Sequence, residues 1–149
     1  MEELKLILTA TIGTAGFSLL FQIKPTHIPA ATFGSALTCA IWLLLDRLGA
    51  ALFLSNLIAA LASVIYANIL ARLLKTPTSV FITACMIPLV PGGMLFNTMN
   101  CLIRQDMTGF LLYGQDTLVT ALGIAGGIAV ESSVTNVLGK VFHRNKKKA

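Results

Sequence analysis

Long apolar stretches separated by short charged or proline-containing connections make up most of this chain. A stretch of about 20 apolar residues is enough to cross the hydrocarbon core of a bilayer. The pattern therefore predicts about five transmembrane helices packed as a single all-α integral membrane domain, residues 1–143. The predicted spans have the bounds 5–23, 29–45, 50–72, 78–103 and 117–142. A longer connection, 104–116, is expected before the last span, with a short interfacial helix inside it.

The fourth stretch cannot form an unbroken helix. It contains Pro88 and Pro91, followed by Gly92 and Gly93. Proline lacks an N–H and clashes with the preceding turn, and glycine permits backbone angles that other residues resist. Inside a membrane, such a break is tolerated only where protein or a water-filled cavity satisfies the freed backbone groups. The sequence predicts a helix broken at Pro88-Pro91-Gly92-Gly93.

Transporters place substrate sites at breaks of this kind, because the half-helix ends offer N–H groups to a carboxylate and C=O groups to an ammonium. A kink with a purely structural purpose is the alternative. We expect the polar face of the first span and Glu131 to lie beside the break. The candidate substrate-binding residues are Pro88, Pro91, Gly92, Gly93 and Asn97.

Polar residues recur at helical spacing in two other spans. Thr11, Ser18 and Gln22 follow i, i+7, i+11 spacing, and Asn56 and Ser63 are seven apart, so each set is expected to share a helix face. Such faces serve either hydrogen bonding between helices or the lining of a transport pathway. The candidate pathway-lining residues are Thr11, Ser18, Gln22, Asn56 and Ser63.

Glu131 is the only acidic residue inside a predicted span, near its middle. A charged, unpaired carboxylate there costs at least about 2.5–3.5 kcal/mol. The functional hypothesis is a proton-coupling carboxylate. The alternative is a neutral or paired carboxyl held by Ser132, Thr135 or a partner subunit. In the same span Gly123 and Gly127 form a G-x-x-x-G, which favours close helix packing.

Composition and charge exclude several classes of protein. Charged residues make up 11% of the chain, whereas a soluble domain has about 25%. The net charge of +5 comes largely from a basic tail, residues 144–149, and is a topology signal rather than a sign of nucleic-acid binding. A cytoplasmic C-terminus places eight of the 11 basic residues inside and the N-terminus outside, as the positive-inside rule favours.

No motif for soluble catalysis, nucleotide binding or metal binding is present. The three cysteines, Cys39, Cys85 and Cys101, lie in apolar stretches and are expected to be buried apolar residues. We therefore expect no enzyme activity and no cofactor, with any transport driven by an ion gradient, most simply of protons.

Residues 87–96, with their Pro-Leu-Val-Pro-Gly core, resemble the small membrane subunit of the threonine/serine exporter family. This subunit corresponds to the C-terminal half of the fused exporters, and the split form pairs it with a larger subunit. The resemblance implies a bacterial inner-membrane location and export of threonine and serine, or in some split members of dicarboxylates such as succinate. The motif matches Pro88, Pro91 and Gly92, while Glu131 belongs to no part of it.

Taken together, the sequence predicts one subunit of a secondary exporter for threonine/serine-like small amino acids. The larger membrane subunit is its expected partner, with association between copies of the chain as an addition. Three alternatives remain at this point. They are a dicarboxylate exporter subunit, a non-transporting structural subunit of a larger permease, and a homo-oligomeric channel.

Overall fold

The computed structural model describes the backbone of residues 2–146 and the side-chain surroundings of residues 5–135. All regular structure in this part of the chain is helical, which confirms the all-α prediction. Short 3-10 turns, Pro25–His27 and Ile87–Leu89, precede α2 and follow α4. The α-helices are α1 (Glu2–Leu20), α2 (Ile28–Arg47), α3 (Leu52–Leu74), α4 (Thr78–Met86), α5 (Gly92–Ile103) and α6 (Met107–Lys146).

Most of these helices have the length and apolar character of membrane spans. The stretches Pro25–Arg47, Leu52–Leu74 and Met107–Thr135 each qualify on their own. Helices α4 and α5 qualify together as one span bent by 53°. The apolar part of α1, Lys5–Leu20, is shorter and covers about 24 Å at 1.5 Å per residue.

The last helix begins earlier than expected. The predicted connection over 104–116 is wrong, because only residues 104–106 lie outside helices and α6 starts at Met107. Asp106 acts as its N-cap, since its Oδ1 accepts a hydrogen bond from the Gly109 N–H at 3.0 Å. Asp106, which the prediction placed in a long loop, therefore caps the start of a helix. With 40 residues, α6 is about 60 Å long, roughly twice the thickness of the hydrocarbon core. Of the predicted tail, residues 144–146 end this helix and 147–149 lie outside the described residues.

Successive spans run in opposite directions, with α4 and α5 counted as one bent span. The Thr14 and Ser35 hydroxyls pair α1 with α2, and the Tyr66 hydroxyl of α3 donates to the Ala30 carbonyl near the start of α2. Helix α4 runs back along α3. Its Phe81 packs with Ala67 and Ala71 near the end of α3.

Helices α3 and α6, by contrast, run parallel. Gly123 lies against Phe53, and Gly127 lies against Leu57 one turn further along both helices. Two parallel neighbours require that the chain cross back once between them, and the bent α4–α5 pair makes that return. Helix α5 packs antiparallel on the first half of α6, as shown by the contact of Thr120 with Met94.

The interior is built from small side chains. One apolar cluster lies at the end of the bundle that includes Lys24 and Lys75, and its buried members are Ile23, Ala31, Ala67, Ala71, Phe81 and Ala84. A second cluster lies beside the break, with Ala59, Ala60, Val64, Met86 and Leu89. Many large apolar side chains face outward instead, as expected for a surface in contact with lipid.

Candidate functional site

The broken fourth span has the predicted geometry. Helix α4 ends at Met86, a single 3-10 turn contains Pro88, and α5 begins at Gly92. Proline has no N–H, so Pro88 cannot donate to the carbonyl of Ala84 as a helix would require. The turn is closed instead by the Val90 N–H, which donates to the Ile87 carbonyl at 3.3 Å. The prediction of a break at these residues is confirmed.

The predicted substrate-binding residues divide into two groups. Pro88 and Pro91 are partly buried, whereas Gly92, Gly93 and Asn97 are exposed. A Cβ atom added at either glycine would meet no atom of the described chain within 4 Å. Neither glycine has a left-handed φ angle. The contacts and backbone of this chain therefore give no reason for glycine at these two positions.

The start of α5 also lacks a hydrogen bond from its N–H groups to a capping side chain among the described residues. An α-helix leaves its first N–H groups without partners, and they carry the positive end of the helix dipole. Pro91 is the N-cap residue of α5, and no side chain of the described residues caps this end. Asn97 lies one turn after Gly93 on the same exposed side. This arrangement is able to bind a carboxylate.

Glu131 is held between α6 and α3. Its side chain is 7% exposed, and its Oε1 accepts hydrogen bonds from the Asn68 amide of α3 and, at 2.6 Å, from the Thr135 hydroxyl. It is one turn beyond Ile128, which packs against the apolar cluster of Met86 and Leu89 beside the break. The expectation that Glu131 lies beside the break and near mid-span stays a prediction. The first span does contact the 3-10 turn at the break, as predicted.

Helices α6 and α3 pack closely along a seam at Gly123 and Gly127, on the N-terminal side of Glu131. A Cβ atom on Gly123 would lie 2.8 Å from the Phe53 carbonyl oxygen, and one on Gly127 would lie 2.7 Å from that of Leu57. These distances leave no room for a side chain, so the close packing predicted from the G-x-x-x-G is confirmed.

Comparison with known proteins identifies the family. The family model described as "Threonine/Serine exporter, ThrE" matches residues 6–134 of the chain. The chain belongs to the threonine/serine exporter family. No curated protein and no solved structure matches it. Family membership and the apolar helices together establish a multi-pass membrane transporter of exporter type.

In this exporter, most of the predicted pathway-lining residues are engaged within the bundle. Ser63 hydrogen-bonds to Thr38 of α2, the Asn56 amide donates to the Leu52 carbonyl at 2.8 Å, and Thr11 donates to the Ile7 carbonyl at 2.6 Å. Ser18 is buried, and its hydroxyl has no hydrogen-bond partner among the described residues. Gln22 is exposed and lies beyond the end of α1, with φ of 54°, so it does not share the helix face of Thr11 and Ser18. Their pathway role stays a prediction.

The sequence analysis did not select the residues that complete these polar pairs. Ser35 and Thr38 are both fully buried on α2, where Ser35 meets Thr14 at 2.6 Å. They are three residues apart in a stretch of small residues, and this spacing could have indicated a shared polar helix face. Asn68 was the other omission, and a second asparagine within a span was the signal for it.

Proposed function

We propose that this chain is the small subunit of a bacterial inner-membrane secondary exporter for threonine- and serine-like amino acids, and that it works with a larger membrane subunit. Family membership supports a substrate of this class. The observation that carries the proposal is the open surface at Gly92 and Gly93, directly at the break in the fourth span.

The chemistry of the break suits an amino acid. The Gly92 N–H already donates to the Val90 carbonyl at 2.7 Å. The carboxylate would therefore accept hydrogen bonds from the next N–H groups of α5, those of Gly93 and Met94, where the absence of side chains on the glycines lets the ligand approach the backbone. The ammonium group would meet carbonyl oxygens of the partly exposed connection between α4 and α5. Asn97 adds neutral hydrogen-bonding groups one turn away.

The exposed position of this surface supports a second subunit. Polar groups that face hydrocarbon cost free energy, and backbone without helical partners is stable in a membrane only when protein or water covers it. The uncapped start of α5 and Asn97 both lie on the outside of this chain. A larger subunit placed against α5 would cover them and supply the other half of the site.

We further propose that the proton gradient drives export, with Glu131 as the coupling carboxylate and without a bound cofactor. Glu131 is the buried acid of the described residues, and buried acids within membrane spans are functional candidates by default. In the proposed orientation the C-terminus is cytoplasmic, and the end of the bundle with Lys24 and Lys75 faces the cytoplasm.

Reconstitution tests this proposal. Proteoliposomes that contain the chain, the larger subunit or both are given a proton gradient, and movement of labelled threonine is measured with succinate as competitor. We expect proton-dependent threonine transport only when both subunits are present. Full transport by the larger subunit alone would favour a structural role, and succinate transport without threonine transport would favour a dicarboxylate exporter. Proton-independent flux through this chain alone would favour a channel.

The coupling role has a separate test in the same vesicles. Glu131→Gln preserves the shape of the side chain and its ability to accept from Asn68 and Thr135, but it cannot exchange a proton near neutral pH. We expect proton-driven transport to be lost while threonine binding is retained. Transport by this variant at an unchanged rate and with unchanged pH dependence would refute the coupling role.

A further inference from the structure

Two uncharged side chains hold the carboxyl group of Glu131 in the seam between α3 and α6. Asn68 donates from its Nδ2, and Thr135 donates from its Oγ1 at 2.6 Å. Both hydrogen bonds reach the same carboxyl oxygen, Oε1. One donor comes from the neighbouring helix and the other from the next turn of α6, so the side chain is fixed between two elements.

The choice of oxygen has a chemical consequence. A protonated carboxyl has one O–H donor and keeps acceptor capacity on its other oxygen, whereas the ionised form accepts at both. Because Oε1 accepts from two donors, it remains an acceptor in either state. The proton is therefore carried by Oε2, and the carboxyl keeps its position when that proton arrives or leaves.

Among residues 5–135, the charged residues nearest to Glu131 lie outside this contact. On α3, the helix packed here, Arg72 is one turn beyond Asn68 and Lys75 follows the end of the helix, and both are exposed. On α6, Asp116 precedes Glu131 by about four turns. The ionised carboxyl thus depends on its two hydrogen bonds, which are stronger when the acceptor is charged.

We propose that Asn68 and Thr135 are positioning residues that hold Glu131 through Oε1, so that Oε2 binds and releases the coupling proton. The coupling half of this statement rests on the proposed function, whereas the anchoring of the carboxyl does not. The experiment below separates the two.

Infrared difference spectroscopy of the full chain in lipid, recorded across a pH step, tests the anchoring. We expect a C=O band of a protonated carboxyl that disappears in Glu131→Gln. Asn68→Leu and Thr135→Val should each move this band to higher frequency, because the C=O group that contains Oε1 loses a donor. Thr135→Ser keeps the hydroxyl, and Ser132→Ala changes an exposed neighbour, so both should leave the band in place.

Transport by the two-subunit exporter tests the coupling. Asn68→Leu should lower proton-driven export about tenfold or more, the expected effect of losing a hydrogen bond to a charged group. The KM for threonine should not change, because Asn68 lies on α3, whereas the proposed substrate surface lies at the exposed start of α5. Thr135→Val provides a second variant if Asn68→Leu does not fold, and Thr135→Ser should restore export.

The outcomes distinguish the two claims. A band that stays in place in both Asn68→Leu and Thr135→Val, or a titrating band that survives Glu131→Gln, would overturn the anchoring, even if export is proton-driven. A band that moves as expected in an exporter without proton dependence would uphold the anchoring and overturn the coupling role, and with it the proton-driven part of the proposed function.

Discussion

Two pairs of glycines in this chain serve opposite purposes. Gly123 and Gly127 lie in the seam between α6 and α3, where an added Cβ would come within 2.7–2.8 Å of backbone carbonyl oxygens. Gly92 and Gly93 open α5, where an added Cβ would meet nothing of the described chain within 4 Å. The first pair is explained by this chain alone, and the second pair is not.

Polar groups follow the same division. Beside the seam, Glu131 accepts two hydrogen bonds from the chain itself. At the break, the start of α5 has no side-chain cap among the described residues, and Asn97 is exposed. The seam is a finished structural contact, whereas the break leaves an open surface that the proposed substrate or larger subunit would cover. The following predictions test this distinction, in order of decreasing effect on the free energy of unfolding.

The largest decrease in the free energy of unfolding is expected for Gly127→Ala. The new Cβ would overlap the Leu57 carbonyl oxygen and the Ala60 Cβ, at 2.7 and 2.8 Å, and backbone atoms cannot rotate away. Overpacking of this kind costs about 1–3 kcal/mol, so α6 should separate from α3 at a lower temperature. Thermal unfolding of the purified protein in detergent measures this change.

Gly126→Ala is the matched control for that variant. Its added Cβ would make an ordinary contact with Leu57 Cδ1 at 3.5 Å, in the same helix and one position away. We expect its unfolding temperature to equal or exceed that of the wild type. Equal stability of Gly127→Ala and Gly126→Ala would show that the seam is not closely packed.

The second prediction compares the two helix starts. Asp106 caps α6 through the Gly109 N–H at 3.0 Å, so Asp106→Ala should lower the free energy of unfolding by about 1 kcal/mol. Asp106→Asn keeps an acceptor oxygen and should cost much less. Circular dichroism during thermal unfolding measures both. If Asp106→Ala has no effect, the start of α6 is no more closed than that of α5.

The third prediction concerns the buried hydroxyl pair, Thr38 and Ser63. A double-mutant cycle with Thr38→Val and Ser63→Ala should give a coupling energy of about 0.6 kcal/mol, typical of hydrogen bonds between membrane helices. Export should persist if the pair serves only to join α2 to α3. Loss of export in Ser63→Ala without loss of stability would instead support the pathway interpretation. Ser55→Ala removes a buried hydroxyl that has no hydrogen-bond partner within the part of the chain that the structure describes, and it should not lower stability.

The sequence predicted those parts of the fold whose causes are local. Apolar length located the spans, and Pro88 with Pro91 located the break, because a proline inside a helix removes a hydrogen bond and clashes with the preceding turn. The start of α6 was missed because Asp106 has the same charge whether it caps a helix or lies in a loop. The contact of Glu131 with Asn68 was missed because it depends on the parallel packing of α3 and α6, and no spacing along one helix contains that information.

The smallest effect on stability, and the sharpest test of function, is expected for the Gly92→Ala/Gly93→Ala double variant. Alanine is favoured over glycine in helices by up to about 1 kcal/mol, and the added methyl groups enter open space, so the folded chain should be unchanged or slightly more stable. Export should nevertheless fall, because the methyl groups occupy the surface that the substrate or the larger subunit would contact. Gly16→Ala is the matched control, since it also adds a methyl group in open space, on α1 and away from α5, and it should export normally. A double variant that is stable and exports at the wild-type rate would show that the break is only a kink. A double variant that is stable but inactive would separate folding from function at a single pair of residues, which the seam glycines cannot do because their substitution disturbs both.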